Sequence, residues 1–365
     1  MNTTGVSIRD FGGRQLRDLL HSVHLGDIAN KSVELLSETL GPGGSRPLSN
    51  SPSWPSGVAD DHTPFEFSTA FGIDEPATVR VLVEPTAAEP GPAANMDAAL
   101  DVLASLARSH DLPMDRFDAV RDLFLPADPQ GDFSLWFSLV FTAATGPIIK
   151  VYLNPEVRGE AESPLLVGEG LARLGYGSAH QTIIDHARRR DDGLDRYSFF
   201  ALDLTENSGA RAKVYLSHHD ATPDDVVVAA SAAHDVDPET VRDFCRLTGG
   251  RTESFTERPL ISSYTFLPDD VDRPSGYSLY VPVRSYVNDD SEAHQRVLAT
   301  LDQYGIDPTA FGSALDAVAR RPLADGVGLI AHVSLRIGAP RPGVTVYLSS
   351  EAHATASPRV ATLVS

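Results

Sequence analysis

Apolar and polar positions alternate with period two along Arg211-Ala212-Lys213-Val214-Tyr215-Leu216. Such alternation predicts a strand with Arg211, Lys213 and Tyr215 on one side and Ala212, Val214 and Leu216 on the other. The same polarity recurs at Lys150-Val151-Tyr152-Leu153, over 276–281 and over 344–348, so that Tyr152, Tyr215, Tyr280 and Tyr347 are separated by 63, 65 and 67 residues. A period of that size predicts a repeated supersecondary unit. Leu82 lies 70 residues before Tyr152 within Arg80-Val81-Leu82-Val83, where Arg80 takes the lysine's place and Leu82 the tyrosine's. Five units result.

Helical stripes fill the gaps. Met96, Ala99, Leu100, Leu103, Leu106 and Ala107 follow the i, i+3, i+4, i+7 rule. Helices are predicted in pairs over 96–107 and 114–124, 165–174 and 180–188, 223–233 and 238–247, and 292–304 and 308–319. Each pair precedes two strands, the partner strands being 64–68, 133–142, 196–204, 260–267 and 328–337. Two further helices fall within 15–40, and a Pro/Gly/Ser-rich loop covers 41–57. The expected fold is therefore α/β: ten antiparallel strands in five hairpins, closed into a barrel within a ring of amphipathic helices. It forms one domain over 1–365, with 1–57 packed on it. The apolar strand faces meet the helices, so the barrel interior is polar, and ten strands leave room for a chamber.

Charge narrows what the chamber binds. A net charge of −20 and a pI near 4.9 argue against a nucleic-acid or anionic-membrane partner. Only three lysines accompany 27 arginines, and two of the three, Lys150 and Lys213, occupy equivalent positions of the repeat. The cations are local to the interior. A single cysteine, Cys245, allows no intrachain disulfide, a leader is not expected, and no run of 18 apolar residues occurs. The expected location is cytoplasmic. Arg80, Lys150, Arg211 and Lys213 converging in an enclosed space call for a polyanion such as a diphosphate. The four tyrosines form an aromatic collar that tolerates a cation and excludes water. Glu66, in Pro64-Phe65-Glu66-Phe67-Ser68, shares the polar side. A diphosphate beside such a collar describes an allylic prenyl donor that ionises.

These residues together resemble the dimethylallyltryptophan-synthase type of aromatic (indole) prenyltransferase, with the ABBA prenyltransferase barrel, in its shorter bacterial form. The resemblance runs from about residue 61 to the end. It rests on Glu66 in its PFEFS context, Arg80, the K-x-Y of Lys150 and Tyr152, the R-x-K-x-Y of Arg211, Lys213 and Tyr215, the S-x-Y-x-P of Ser278, Tyr280 and Pro282, and Tyr347. It implies that Glu66 hydrogen-bonds the indole N–H, that the four basic residues hold the diphosphate, and that the tyrosines shield the allyl cation. It further implies a metal-independent reaction with no cofactor and no Mg. Two departures stand out. Ser278 replaces the glutamine usual in fungal members, and the strand before K-x-Y carries Trp136, Phe137 and Ser138 where those members have a lysine. Attack through the indole nitrogen, with Glu66 as base, and attack through another ring carbon both stay open. Trp136, Ser138 and Ser278 are candidates for the acceptor pocket, and either Arg336 or Arg341 is a further phosphate ligand.

The partners implied are a dimethylallyl or geranyl diphosphate donor and a tryptophan or tryptophan-derived acceptor, bound by a monomer or weak homodimer. The alternatives are a phenol or phenazine prenyltransferase of the same fold and a non-catalytic carrier of a phosphorylated ligand. Asp269-Asp270-Val271-Asp272 reads as a solvated turn. His218 and His219 face opposite sides of a strand and so do not share a metal. Cys245 reads as buried packing.

Overall fold

A computed structural model describes residues 5–143, 146–189, 193–206, 209–338 and 341–359. Its strands are β1 (Phe65–Gly72), β2 (Glu75–Val83), β3 (Leu135–Phe141), β4 (Ile148–Leu153), β5 (Asp195–Asp203), β6 (Ala212–His218), β7 (Leu260–Phe266), β8 (Gly276–Val281), β9 (Ile330–Ile337) and β10 (Gly343–Leu348). Each pairs antiparallel with its neighbours in sequence, and β10 pairs back onto β1, with Phe67 opposite Leu348 and Tyr347 opposite Ser68. The ten strands are a closed barrel, which leaves no unpaired edge.

Alternation fixes what lies on each side. Phe65, Phe67, Val81, Val83, Phe137, Leu139, Val151, Val214, Leu216, Leu279, Val333 and Val346 are all buried on the outer face. Helices cover them: Ile8–Ser22, Ala29–Thr39, Pro92–His110, Ser163–Arg173, Gly177–Ala187, Pro223–Ala230, Pro238–Gly249, Asp290–Gln303 and Thr309–Val318. The apolar core is thus an annulus between sheet and helices, and the hydrophobic effect closes it around a polar middle. Gly12 shows how close the layers come: a Cβ there would stand 2.7 Å from the Phe65 ring. A helical glycine costs about 1 kcal/mol relative to alanine, and here the close approach to the sheet offsets that loss.

The helix boundaries follow their caps. Ser7, Asp237 and Asp289 accept backbone N–H bonds at the starts of their helices, and Thr222 with Asp225 forms a capping box ahead of Pro223. One predicted helix differs. Residues 114–124 form two single turns, Asp115–Asp118 and Arg121–Phe124. The backbone at Val120 leaves the helical region (φ −124°), and its side chain is fully buried.

Candidate active site

The inward-facing side chains enclose a cavity of about 420 Å³. Because every pairing is antiparallel, the even-numbered strands all run the same way. On β4 and β6 a lysine precedes a tyrosine by two residues, so Lys150 and Lys213 lie one step nearer the mouth at which those strands begin. Arg80, Arg211, Lys150 and Lys213 all line the cavity, as do the four tyrosines. The strand repeat therefore becomes a polarity along the barrel axis, with cations at one level and phenols deeper.

The cations are not free of compensation. Asp203, on β5, lies 2.8 Å from Lys150 Nζ through Oδ1 and 2.8 Å from Arg211 Nε through Oδ2. Burial opposes its ionisation, but the two cations outweigh burial and hold the carboxyl down at about 2. Burial pushes Lys150 down to about 8, against the pull of Asp203. Lys213 is depressed well below the usual lysine value, first by burial and then by Arg211 and Lys150. Arg80 donates to Thr345 Oγ1 at 3.3 Å. Asp203 compensates only part of the charge of Arg80, Lys150, Arg211 and Lys213, and a polyanion would complete it.

The four tyrosines form an arc of neighbouring rings. Ring centroids are 5.8 Å apart for Tyr152 and Tyr215, 5.9 Å for Tyr215 and Tyr280, and 5.7 Å for Tyr280 and Tyr347. The hydroxyls of Tyr152 and Tyr215 are 3.3 Å apart. Burial pushes the Tyr152 phenol up to about 12 and the others upward too, so the collar is neutral. Phe199 adds a fifth ring, edge-on to Tyr152 and Tyr215. Trp136 stacks on Phe133 at 4.1 Å and leans on Phe199. Leu82 lines the cavity at the remaining place of the repeat, directly opposite Glu66 in the β1–β2 register.

Glu66 faces the cavity and is buried, and burial raises its carboxyl to about 8; Arg284 opposes the rise, while Asp60 and Asp61 add to it. These neighbours belong to the other mouth of the barrel. Arg284, just beyond β8, donates through Nη2 to Asp60 at 3.0 Å and through Nη1 to the Ala331 carbonyl at 2.9 Å, and faces the His332 ring. Arg258, just ahead of β7, pairs with Asp60 at 3.0 Å. Burial, helped by Arg284 and Arg258, holds His332 well below its ordinary value, so its imidazole is neutral. Asp203, Phe199 and this Asp60–Arg258–Arg284–His332 group are absent from the sequence reading.

The remaining candidates separate. Trp136 and Ser138 line the cavity on β3, whereas Ser278 lines it on β8 opposite Arg336 and two residues from Tyr280 toward the cationic mouth. Arg336 lines the cavity and donates to the Arg341 carbonyl at 3.2 Å; Arg341 itself is not part of the lining. Asp270 accepts from the backbone N–H groups of Leu267 and Ser275, which makes it a turn former. His218 points to the helix side, 2.6 Å from Asp195 and 2.8 Å from Ser262, whose hydroxyl is 2.8 Å from Tyr277. Cys245 is buried and its thiol pushed up to about 12. Among the described residues no helix is long and apolar enough to cross a membrane, and no cluster of three His, Cys, Asp or Glu side chains could hold a metal.

The model of the tryptophan dimethylallyltransferase family matches residues 32–312. Among solved structures, 6-dimethylallyltryptophan synthase from Micromonospora olivasterospora, in complex with DMASPP and Trp, is 50% identical with a TM-score of 0.93, over 97% of this chain and 100% of that one. The prenyltransferase PriB, in binary complex with product diphosphate, is 35% identical with a TM-score of 0.90, over 97% and 99%. The 5-dimethylallyltryptophan synthase from Streptomyces coelicolor is 37% identical with a TM-score of 0.88, over 95% and 98%. A pocket of cations, an arc of four tyrosines and a buried acid accordingly sit in a chain that belongs to the tryptophan dimethylallyltransferase family of ABBA-barrel prenyltransferases.

Proposed function

We propose that the protein transfers a dimethylallyl group from dimethylallyl diphosphate to the indole ring of L-tryptophan, at C6. The observation that carries the chemistry is the arrangement of the chamber: cations toward one mouth, tyrosines deeper, and the buried Glu66 beside Leu82 at the remaining place of the repeat. Arg80, Lys150, Arg211 and Lys213 take up the charge of the diphosphate as its C–O bond breaks, and Arg336 adds to them at the rim. The allyl cation forms against the tyrosine faces, which shield it from water. Glu66, as carboxylate, accepts the indole N–H, enriching the ring and fixing which edge meets the cation. A ring carbon then forms the new C–C bond. The proton it loses on rearomatising has two bases within the chamber, Glu66 and the departing diphosphate.

The assignment to C6 is supported by the 6-dimethylallyltryptophan synthase at 50% identity. Trp136 and Ser138, where fungal enzymes place a lysine, form the acceptor wall beside Leu82. In the same reading the chain is one domain that works in the cytoplasm, as a monomer or weak homodimer, without Mg. Incubation with dimethylallyl diphosphate and L-tryptophan in excess EDTA, followed by mass and NMR analysis of the product, tests the reaction, the position alkylated and the independence of Mg. A C6-substituted tryptophan is expected. Substitution at N1 or another carbon overturns the position, and absence of released diphosphate overturns the reaction.

A further inference from the structure

Both tryptophans of the chain, Trp54 and Trp136, converge on one buried carboxyl that takes no part in the chemistry above. On β2 the inward positions run Arg80, Leu82 and then Glu84, and the pairing of Val83 with Phe137 sets Glu84 beside Trp136 on β3. Glu84 is 3% exposed. Its main chain is fixed by the bond from Glu84 N to the Pro64 carbonyl at 2.8 Å, and its cover is the segment ahead of β1. Trp54 Nε1 donates to Glu84 Oε1 at 3.1 Å, and the Ser56 hydroxyl donates to Oε2. That hydroxyl accepts from Val58 N at 3.3 Å, which leaves its own proton for Glu84. The Trp136 N–H is buried and makes no hydrogen bond of normal geometry among the described residues, yet it lies near enough to Glu84 to favour the carboxylate. Burial raises this carboxyl to about 7; Ser56, Trp54 and Trp136 oppose the rise, and Asp132 adds to it. A buried acid is costly unless its oxygens are matched. Here they are matched by the two elements that shape one wall of the chamber.

We infer that Glu84 is a positioning residue for the acceptor wall: by tying the 54–58 segment to β3 it fixes the plane of the Trp136 indole, and with it the ring edge that the acceptor presents to the allyl cation. The inference rests on Trp136 being part of that wall, as proposed above. Trp136 stacks on Phe133 and leans on Phe199, but its benzo edge is backed from the other direction by Gly57, where a Cβ would stand 3.5 Å away. Gly57 and Val58 themselves line the central cavity. The torsion that turns an indole about its Cβ–Cγ bond is broad, so packing has to choose its setting. Glu84 holds the backing segment in place, and a small error in the orientation of the wall is enough to change which carbon is within reach of the cation.

The test uses Glu84→Gln and Trp54→Phe, the second of which keeps an aromatic ring and loses the N–H. In Glu84→Gln the KM for L-tryptophan should rise about three- to tenfold, the effect of one lost hydrogen bond of ordinary strength, while kcat falls less than about twofold. The share of regioisomers other than the main product should rise severalfold. Trp54→Phe should show the same split in weaker form. The dissociation constant of dimethylallyl thiolodiphosphate should match the wild type's in both variants, since the donor pole is untouched. Emission of the free enzyme reads the contact directly, because the chain's only two tryptophans flank Glu84. It should change with a midpoint near pH 7, a transition that Glu84→Gln abolishes and Glu66→Gln retains. An unchanged isomer ratio in both variants, or losses of kcat and donor affinity in parallel, would overturn the assignment. A wild-type enzyme that does not alkylate tryptophan overturns the acceptor reading instead, and the emission transition then still decides whether Glu84 holds the two indoles.

Discussion

Lys150 and Asp203 face each other across β4 and β5 as direct register partners, with Nζ 2.8 Å from Oδ1. The pair explains how a buried lysine stays charged beside three other cations. Burial alone drives the lysine toward neutrality, and the carboxylate is what holds it at about 8. Asparagine at 203 removes that pull, so the lysine loses its proton at lower pH. In Asp203→Asn the alkaline limb of kcat/KM for the prenyl donor should move to lower pH, with a larger loss at pH 8 than at pH 6.5. An unmoved limb would show that Asp203 does not set the charge of Lys150.

Glu66 has the opposite problem. Its carboxyl, raised to about 8 by burial, is mostly protonated at neutral pH in the empty chamber, while the proposed role needs the carboxylate. Acceptor kcat/KM should therefore rise with pH through an acidic limb near 8. Glu66→Gln should abolish that limb, and Glu66→Ala should remove most turnover while leaving donor affinity nearly unchanged. Stability gives an independent check. With the folded value above the unfolded one, the folded chain holds the proton longer, and the wild type loses stability as pH rises from about 4.5 to about 8. Glu66→Gln lacks this loss, so its Tm should exceed the wild type's at pH 8 and match it near pH 5.

Tyr215 stands at the centre of the collar, in contact with Tyr152, Tyr280 and Phe199. Removing its ring opens the shield to water. Tyr215→Ala should divert donor turnover to dimethylallyl alcohol, raising the ratio of alcohol to alkylated product severalfold. Tyr215→Phe, which keeps the ring, should leave the ratio near the wild type's. Gas chromatography of the prenyl products reads it directly.

The period of the tyrosines and the alternation around them made the barrel, its five hairpins and the inward direction of Arg80, Lys150, Lys213 and the collar readable from the chain. What stayed hidden depends on register. Asp203 is an ordinary strand-end acid until β5 is set against β4 and β6. Phe199 is hidden by a register shift between Tyr197 and Phe199. Counted from Arg196, strict alternation would turn Phe199 outward, and the irregularity at Ser198 turns it inward. Asp60, Arg258 and Arg284 sit just outside three different strands, where no periodicity applies.

His218 illustrates a polar residue placed on the apolar side. Asp195, His218, Ser262 and Tyr277 form one hydrogen-bonded line across β5, β6, β7 and β8, all of it buried. Leucine at 218 would strip Asp195 and Ser262 of a partner inside the annular core. His218→Leu should destabilise the fold by roughly 1–3 kcal/mol, read as a drop of several degrees in Tm. Product identity should stay the same, because no member of the line reaches the chamber.

The bonding of β10 to β1 has a consequence for how the chain is made. The first hairpin emerges from the ribosome long before its partner, and its outer edge stays unsatisfied until the last hairpin is translated. Contacts of such sequence separation form slowly, and an open edge meanwhile invites pairing with other nascent chains. Tyr347 is carried by that same last strand. A polypeptide truncated before it would lack both the seam that closes the cylinder and one of the four collar tyrosines, so assembly and catalytic competence arrive in the same step.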